Sequence, residues 1–373
     1  MSRRSTKELI APYVGGRSMA TAASAPSAAV TPPAEELSSS SGWRSRLRSM
    51  NLIGFAQTGG LFAAVVVLSL VFDGMNSAFL STGNLWSIVE AATALTIVAF
   101  GEMAVLLLGE IDLSVGAVYG LGAMIVGLLW MHGVPFVLAL IIGLLMGAAA
   151  GVINGLLVVK VGLNSFIVTL GMLNICEGVD YLVSNSESID PSTSLGQYSV
   201  FKAFGADHLG SVPIQGVWLL AIAVVMFVLT HRTKLGFHGA AIGGNRNAAK
   251  IAKLRVSWYV VGAFVLSGVL AVLAGVISFS QVGATDPTSG ANLPFTVFAA
   301  VILGGSSLLG GRASVIGTFL GAFFLTIITN GLTLLGYGSF FQLTFVGVII
   351  VVAVLLDRLV QVKRGLSTGG VQW

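Results

Sequence analysis

The chain has 373 residues, of which 55% are hydrophobic and only 9% are charged, and its formal net charge is +4. Soluble domains carry about 25% charged residues, so this composition excludes an ordinary soluble protein and predicts a chain embedded in lipid. The single cysteine, Cys176, excludes an internal disulfide and a cysteine-cluster metal site, and the four histidines show no ligand spacing. We therefore expect no cofactor, and we assign the positive charge to cytoplasmic loops rather than to nucleic-acid binding.

The first fifty residues differ from the rest of the chain. They contain TAASAPSAAVTPPAEELSSSSG, which is rich in Ala, Ser and Pro and cannot bury enough apolar surface to fold. No apolar run follows Arg3 and Arg4, so this stretch is not expected to be a secretory signal. We predict a disordered cytoplasmic tail over 1–50, a transmembrane domain over 51–360 and a short cytoplasmic C-terminal tail over 361–373.

Ten apolar segments follow the N-terminal tail. A helix needs about 20 residues to cross the hydrocarbon layer, and each segment reaches or approaches that length. They span roughly 54–73, 85–109, 111–131, 134–158, 162–183, 213–230, 258–281, 294–310, 313–335 and 339–357. The eighth is short and lies between Pro294 and the glycine-rich LGGSSLLGG, so we expect it to be broken or tilted. The pattern predicts an all-α polytopic membrane protein with about ten transmembrane helices.

The distribution of basic residues predicts the orientation of these helices. Ten crossings place both termini on one side, and if that side is inside, every Lys and Arg except Lys202 is cytoplasmic, that is 18 of 19. Shifting the count by one crossing scatters these charges, so the positive-inside rule supports both the number and the orientation. We therefore predict a bacterial inner-membrane protein with cytoplasmic termini, an extracytoplasmic loop at 184–212 and a cytoplasmic loop at 231–257.

The chain lacks the motifs of the common enzymes that act at membranes. It contains no G-x-x-x-x-G-K-[ST] phosphate loop and no G-x-G-x-x-G that opens a strand–helix unit. It also contains no Ser-x-x-Lys or His-Glu-x-x-His, so no nucleophile–base pair is indicated. The sequence therefore predicts a transport protein without catalysis of its own, whose energy is supplied by another chain.

One short water-facing segment, AIGGNRNAAKIAKLRV, interrupts the apolar sequence at 241–256. Asn245 or Asn247 is a suitable N-cap for a short helix, and Gly243 and Gly244 allow a sharp turn or the close approach of a partner. The helix would present one small apolar face, formed by Ala248, Ala249, Ile251, Ala252 and Leu254. That face is too short to anchor in lipid. It suits a groove on a partner protein, and the alternative is an ordinary solvated loop helix.

Polar residues inside the apolar segments are the candidates for a translocation path. Asp112 and Ser114, in GEIDLSVG, fall at a junction between two apolar runs, where Asp112 can cap a helix break. Irregular backbone at membrane depth is tolerated only where it faces protein or water. Glu102, Asn174 and Glu177 lie within apolar runs, where polar groups are costly. For each residue, the sequence leaves open a path-lining role or a hydrogen-bonded contact between helices.

Several motifs resemble those of a known transporter family. The segment 241–256 is similar to the cytoplasmic coupling segment of the ribose/xylose/arabinose-type permeases of ATP-binding-cassette (ABC) importers. Further matches occur in order over roughly residues 54–360. They are GEIDLSVGAV, FIVTLGML, AGVI, VILGGSSLLGGRASVIGTFLGA and NGLTLLG. The resemblance implies a type II-like ABC importer permease fold, and it assigns ATPase coupling to the matching residues Gly243, Gly244, Asn245, Ala248 and Ala249.

The resemblance also implies a set of partners. Two permease subunits, most simply a homodimer, would form the path in the bilayer, and two cytoplasmic ATPase chains would bind nucleotide. An extracytoplasmic sugar-binding protein would deliver the substrate. We therefore expect a permease for a monosaccharide or polyol. Alternatives are an ABC permease for a nucleoside, a signalling furanose or a branched-chain amino acid, and an ion-coupled secondary transporter that uses Glu102, Glu177 and Asp180 as proton sites.

Overall fold

The computed structural model describes the backbone of residues 40–191 and 195–363, and the side chains of 58–191, 195–352 and 355. Within these ranges the chain forms thirteen α-helices and one two-stranded hairpin. The helices are α1 Ser40–Met75, α2 Thr82–Leu107, α3 Val115–Met131, α4 Phe136–Leu156, α5 Ser165–Ser184, α6 Tyr198–Gly205, α7 Ile214–Arg232, α8 Lys234–Gly244, α9 Arg246–Ile251, α10 Val256–Val282, α11 Leu293–Leu303, α12 Val315–Leu334 and α13 Ser339–Lys363. The hairpin pairs β1 His208–Leu209 with β2 Val212–Pro213. The predicted tails at 1–39 and 364–373 lie outside the described residues.

The helices that could cross a membrane match the ten predicted segments. Seven are long and apolar enough by themselves, and three shorter apolar helices are Val115–Met131, Leu293–Leu303 and Ser339–Val352. The eighth segment is interrupted as predicted, because α11 ends at Leu303 and a glycine-rich turn follows it. The third segment also begins later than predicted, at Val115, because residues 108–114 form a turn. The all-α polytopic fold is therefore confirmed.

The long helix α10 forms the centre of the described bundle. It packs against α2, α3 and α4, and most of its residues are buried. Glycines allow the closest of these approaches. A Cβ atom on Gly147 of α4 would collide with the carbonyl group of Gly268 in α10, and one on Gly151 would collide with that of Phe264. Such contacts allow helices to pack tightly in lipid, where burial of apolar surface does not favour association.

The turns between the helices gather at two opposite ends of the bundle. At one end, which we call the inner side, Gly311 donates its N–H to the carbonyl of Leu107 at 2.9 Å. At the other end, the outer side, Asn76 donates to the carbonyl of Leu334 at 3.1 Å, and Ile189 forms a bridge with Thr285. The turns predicted to be cytoplasmic therefore contact one another, as do those predicted to be extracytoplasmic.

Two turns that follow helices on opposite sides share a sequence pattern and the backbone conformation of their first glycine. The inner turn, 108–114, joins α2 to α3, and the outer turn, 283–292, joins α10 to α11. The sequences GEIDLSVGA and GATDPTSGA begin at Gly109 and Gly283, so they share G-x2-D-x-[S/T]-x-G-A. Both of these glycines have positive φ, 77° and 82°. The chain thus contains two helix–turn–helix units that point in opposite directions, an arrangement frequent in transporters.

The same hydrogen bonds hold each of these turns. In the inner turn, Asp112 Oδ1 accepts from the backbone N–H of Ser114 at 3.0 Å and from its hydroxyl at 2.6 Å. In the outer turn, Asp286 Oδ1 accepts from the N–H of Thr288 at 2.8 Å and from the Thr288 hydroxyl. An aspartate that bonds its own backbone two residues later fixes a tight turn. The predicted helix break at Asp112 is therefore confirmed.

The predicted outer loop at 184–212 is partly structured. It contains α6, whose aromatic residues pack on the bundle: the Phe201 ring centroid lies 4.8 Å from that of Trp130 and 4.9 Å from that of Phe279. Trp130 also donates its indole N–H to the carbonyl of Gly196 at 2.6 Å. Aromatic pairs at these separations attract beyond the area that they bury. The outer side of the bundle therefore carries a fixed helical cap.

Candidate functional site

The segment between α7 and α10 forms two short helices on the inner side. Thr233 caps α8 by accepting from the N–H of Leu235 at 3.1 Å. Asn245 ends α8 and caps α9, since its side-chain oxygen accepts from the N–H of Ala248 at 2.9 Å. Of the two predicted N-caps, Asn245 and Asn247, the structure selects Asn245. After α9, Lys253 adopts a positive φ of 57°, which turns the chain into α10. We call residues 234–255, which contain the residues predicted to couple to the ATPase, the coupling segment.

Glycines seat the coupling segment against the membrane helices. A Cβ atom on Gly243 would collide with the carbonyl of Leu107 and the backbone nitrogen of Gly311. Similarly, a Cβ atom on Gly311 would lie 2.9 Å from the backbone of Gly244. Both Gly243 and Gly244 lie within α8 rather than in a turn. The small size of Gly243 therefore serves close packing against the end of α2 and the turn that follows α11, whereas a Cβ atom on Gly244 would meet open space.

The predicted apolar face of α9 divides into two. Ala249 is only 4% exposed and belongs to a buried cluster with Ile242, Val105 and Leu108, with Leu254 packed against it. The remaining apolar members of the face are exposed: Ala248, Ile251 and Ala252. Ala249 therefore does not expose its side chain on the surface of this chain, and its role in ATPase coupling stays a prediction. On a helix of only six residues, neighbouring apolar side chains point partly into the bundle and partly away from it.

An ion pair joins the coupling segment to the inner turn. Arg246, the first residue of α9, bonds to Glu110, whose side chain is 8% exposed. A cavity of about 650 Å³ lies beside this pair. Its lining includes Lys250 of α9 and the residues Asn164 and Ser165 at the start of α5. Glu110 was not among the predicted site residues, although it stands beside the predicted Asp112.

Three predicted path residues form one buried polar cluster. Glu102, Asp112 and Ser114 are all buried, and Glu102 Oε1 accepts from the backbone N–H of Asp112 at 3.3 Å. The Ser114 hydroxyl also accepts from the Asn154 side-chain amide at 3.0 Å. Glu102 Oε2 and Asn154 Oδ1 have no hydrogen-bond partner among the described residues, and the Ser267 hydroxyl faces the Asp112 carboxylate. The cluster therefore connects α2, the inner turn and α4, with Ser267 of α10 beside it.

The other two predicted path residues lie elsewhere, on α5. Asn174 is exposed and donates to the carbonyl of Leu170 at 2.8 Å. Glu177 is half-buried and lines a small cavity with Asp180 and Ser289, next to the outer turn. The five predicted path residues therefore do not form one site. Two of them occupy a helix surface, and three lie in the interior.

Sequence analysis missed the outer turn and its aspartate. Asp286 and Thr288 repeat the pattern of Asp112 and Ser114 after 174 positions in the chain. That internal repeat was available in the sequence and would have predicted the second turn. The pairing of Glu110 with Arg246 has no comparable signal, because the two residues are 136 positions apart.

Comparison with known proteins agrees with this architecture. The family model described as the branched-chain amino acid transport system permease component matches residues 84–354. The chain is 37% identical to the ribose import permease protein RbsC of Bacillus subtilis over 82% of this chain and 94% of the relative. It is 34% identical to the D-allose transport system permease protein AlsC of Escherichia coli, over 85% and 96% of the two chains. It is 33% identical to the fructose import permease protein FrcC of Rhizobium meliloti, over 79% and 83%.

These similarities cover 83–96% of the lengths of the three relatives, and the family match at 84–354 includes both turns and the coupling segment. The resemblance seen in the sequence motifs and the predicted transport function are confirmed, and the ion-coupled alternative is not supported. The chain belongs to this permease family, as a multi-pass membrane permease component of a bacterial ABC importer.

Proposed function

We propose that this permease carries a monosaccharide or polyol inward across the bacterial inner membrane. The relatives named for ribose, allose and fructose import match this chain over at least 79% of its length, which is the observation that carries the proposal. A permease component of this kind works with an ATPase and a binding protein. For this chain we propose a second copy of itself as the other permease subunit, and an extracytoplasmic sugar-binding protein that delivers the cargo.

The surface of α5 supports a path between two copies of the chain. Gly171 and Gly178 have open space where a side chain would stand, and the exposed Asn174 lies between them on the helix. A polar amide on an apolar helix is costly against lipid, so such residues face a neighbouring helix or water. Gly171 and Gly178, each about one helical turn from Asn174, leave room for a solute or for a second helix. We assign Asn174 to this path, with Glu177 at its outer end.

The exposed part of α9 supports contact with the ATPase. Ile251 is 83% exposed, and Ala248 and Ala252 lie beside it on a helix of only six residues. Gly243, Gly244 and Asn245 hold this helix in place through packing and capping. An apolar side chain this exposed on the inner side suits a groove on a partner protein. We propose that these three side chains enter a groove of the ATPase, while Ala249 anchors the helix from inside.

Reconstitution tests the proposed function directly. Proteoliposomes that contain this chain, its ATPase and its binding protein are loaded with ATP on the ATPase side and supplied with labelled ribose, allose, fructose or leucine. We expect ATP-dependent accumulation of at least one sugar and none by the chain alone, with or without a proton gradient. Accumulation by the isolated chain that a protonophore abolishes would sink the proposal. Transport of leucine but of no sugar would assign the cargo to the amino acid class.

A further inference from the structure

Glu110 is the buried end of the ion pair that connects the coupling segment to the membrane core. We propose that Glu110 is a positioning residue for transport, through which movement of α9 shifts the inner turn and, with it, α5. This inference rests on the proposed function of the coupling segment. It assigns a role to a residue outside the coupling motif and outside the predicted path.

The ion pair joins a partly exposed side chain of α9 to a buried side chain of the inner turn. Arg246 is the N-terminal residue of α9, the helix that also exposes Ile251. The Arg246 side chain is 42% exposed, whereas that of Glu110 is 8% exposed. A charge pair that is partly withdrawn from water is screened less than a surface pair. A displacement of α9 that left Glu110 in place would therefore separate the two charges and leave the Glu110 carboxylate, which is only 8% exposed, without its partner.

Hydrogen bonds attach the inner turn to α5. The residue after Glu110 is Ile111, whose N–H donates to the Ser165 hydroxyl at 3.2 Å and whose carbonyl accepts from the Thr169 hydroxyl at 3.4 Å. Ser165 and Thr169 occupy the first two turns of α5. The same helix carries Asn174 on its exposed surface farther along. The inner turn is therefore bonded to the helix that we assign to the path.

Hydrogen bonds from its own side chains also make the inner turn rigid. Asp112 accepts two hydrogen bonds from Ser114, and its own N–H donates to Glu102 of α2. Ser114 in turn accepts from Asn154 of α4. A turn that is fixed by hydrogen bonds of its own side chain moves as a unit. Gly109, which has a φ of 77°, lies just after the end of α2, where this turn begins. A force on Glu110 is thus passed to α2, α4 and α5 together.

The test compares charge removal with charge exchange in the full assembly of permease, ATPase and binding protein. The variants are Glu110→Gln, Arg246→Gln and the exchange Glu110→Arg with Arg246→Glu. The measured quantity is the ratio of sugar accumulated to ATP hydrolysed, with the sugar that the wild-type assembly accumulates among ribose, allose and fructose. We expect each single variant to lower this ratio roughly 5-fold or more, as is typical of a coupling between sites. The exchange should recover a substantial part of the loss.

Matched controls separate this role from general effects of charge. Arg232→Gln removes an exposed positive charge on the inner side, at the end of α7 and outside the coupling segment, and Asp207→Asn breaks the surface ion pair with Lys202 on the outer side. Both should leave the ratio unchanged. Permease–ATPase co-purification is measured for every variant, because a positioning role predicts assembly without coupling.

Specific results would overturn the inference. One is a single variant that transports with the wild-type ratio. Another is a parallel fall of uptake and hydrolysis that leaves the ratio unchanged, since this would make the ion pair structural only. If the single variants do not assemble and the exchange does not restore assembly, the ion pair is again structural only. Failure of the wild-type assembly to accumulate any sugar is a different result, because it contradicts the proposed cargo and not the role of Glu110.

Discussion

Gly116 and Gly290 lie face to face at the point where the two repeated units meet. A Cβ atom on Gly116 would collide with the carbonyl of Gly290, and a Cβ atom on Gly290 would collide with that of Gly116. The two residues occupy the same position in the shared pattern that follows Gly109 and Gly283. The reciprocal contact therefore shows that the outer turn extends from the end of α10 into the bundle, as far as the start of α3.

The first prediction concerns this contact. Gly116→Ala should destabilise the protein by about 1–3 kcal/mol, because overpacking against backbone has no flexible side chain to relieve it. This loss of stability should be measurable as a lower Tm in detergent. Gly262→Ala, in a helix with open space around the added methyl group, is the matched control and should change Tm little. Equal effects at Gly116 and Gly262 would contradict the close packing.

The second prediction concerns the aspartates of the two turns. Asp112→Asn keeps an oxygen that accepts from Ser114, so we expect it to preserve stability, whereas Asp112→Ala should cost about 1–3 kcal/mol. In the outer turn, Asp286→Ala should likewise destabilise the protein more than Asp286→Asn. The difference in stability between these two variants should be smaller than at Asp112, because Thr288 is exposed. Thermal unfolding in detergent measures both. If the Asn variant were destabilised as much as the Ala variant, the carboxylate charge would stabilise the protein rather than the hydrogen bonds of the turn.

The third prediction separates the outward and inward residues of α9. Ile251→Glu should leave Tm unchanged but abolish co-purification of the ATPase and uptake, because it places a charge in an apolar contact. Ala249→Glu should instead lower Tm, since Ala249 is buried in this chain. Leu209→Glu, exposed on the outer hairpin, is the control for co-purification. An Ile251→Glu variant that still binds the ATPase would remove α9 from the interface.

The fourth prediction concerns the path. Asn174→Leu should reduce uptake several-fold while Tm stays the same or rises, because the amide is exposed and bonds only to its own helix. Ile175→Leu, at the next exposed position of the same helix, conserves volume and should transport normally. Uptake is measured in proteoliposomes with equal amounts of assembled transporter. Normal uptake by Asn174→Leu would place this face of α5 against lipid.

The fifth prediction concerns the orientation in the membrane. Cys176 is buried, so a Cys176→Ala variant provides a background for single cysteines. We expect Leu209→Cys to react with a membrane-impermeant maleimide in right-side-out vesicles, and Ile251→Cys to react only in inside-out vesicles. The reason is the positive-inside distribution of Lys and Arg. The reverse labelling pattern would invert the predicted topology.

Composition and hydropathy were sufficient for most of the architecture. A lipid-embedded chain must satisfy its backbone hydrogen bonds within helices, so apolar runs of the right length determine the crossings almost directly. The motif around Asn245 was equally local, because a cap depends on residues three positions apart. Both predictions succeeded since each depends on neighbours in the chain.

Predictions that depend on which way a side chain points were less successful. Ala249 and Ile251 are two positions apart on one short helix, yet one is buried and the other is exposed. The five path residues were grouped by residue type, and the structure divides them between the interior and the surface of α5. Periodicity indicates a face but does not indicate what that face contacts.

The sequence by itself determined the class of the protein, the number of its crossings and the break at Asp112, and it limited the cap of α9 to Asn245 or Asn247. Each follows from local chemistry, that is from the cost of polar groups in lipid or from hydrogen bonds between near neighbours. Only the tertiary structure decided that Arg246 reaches Glu110 and that Gly116 meets Gly290. Those contacts join residues that are more than 130 positions apart, and packing of the whole bundle sets which of them come together.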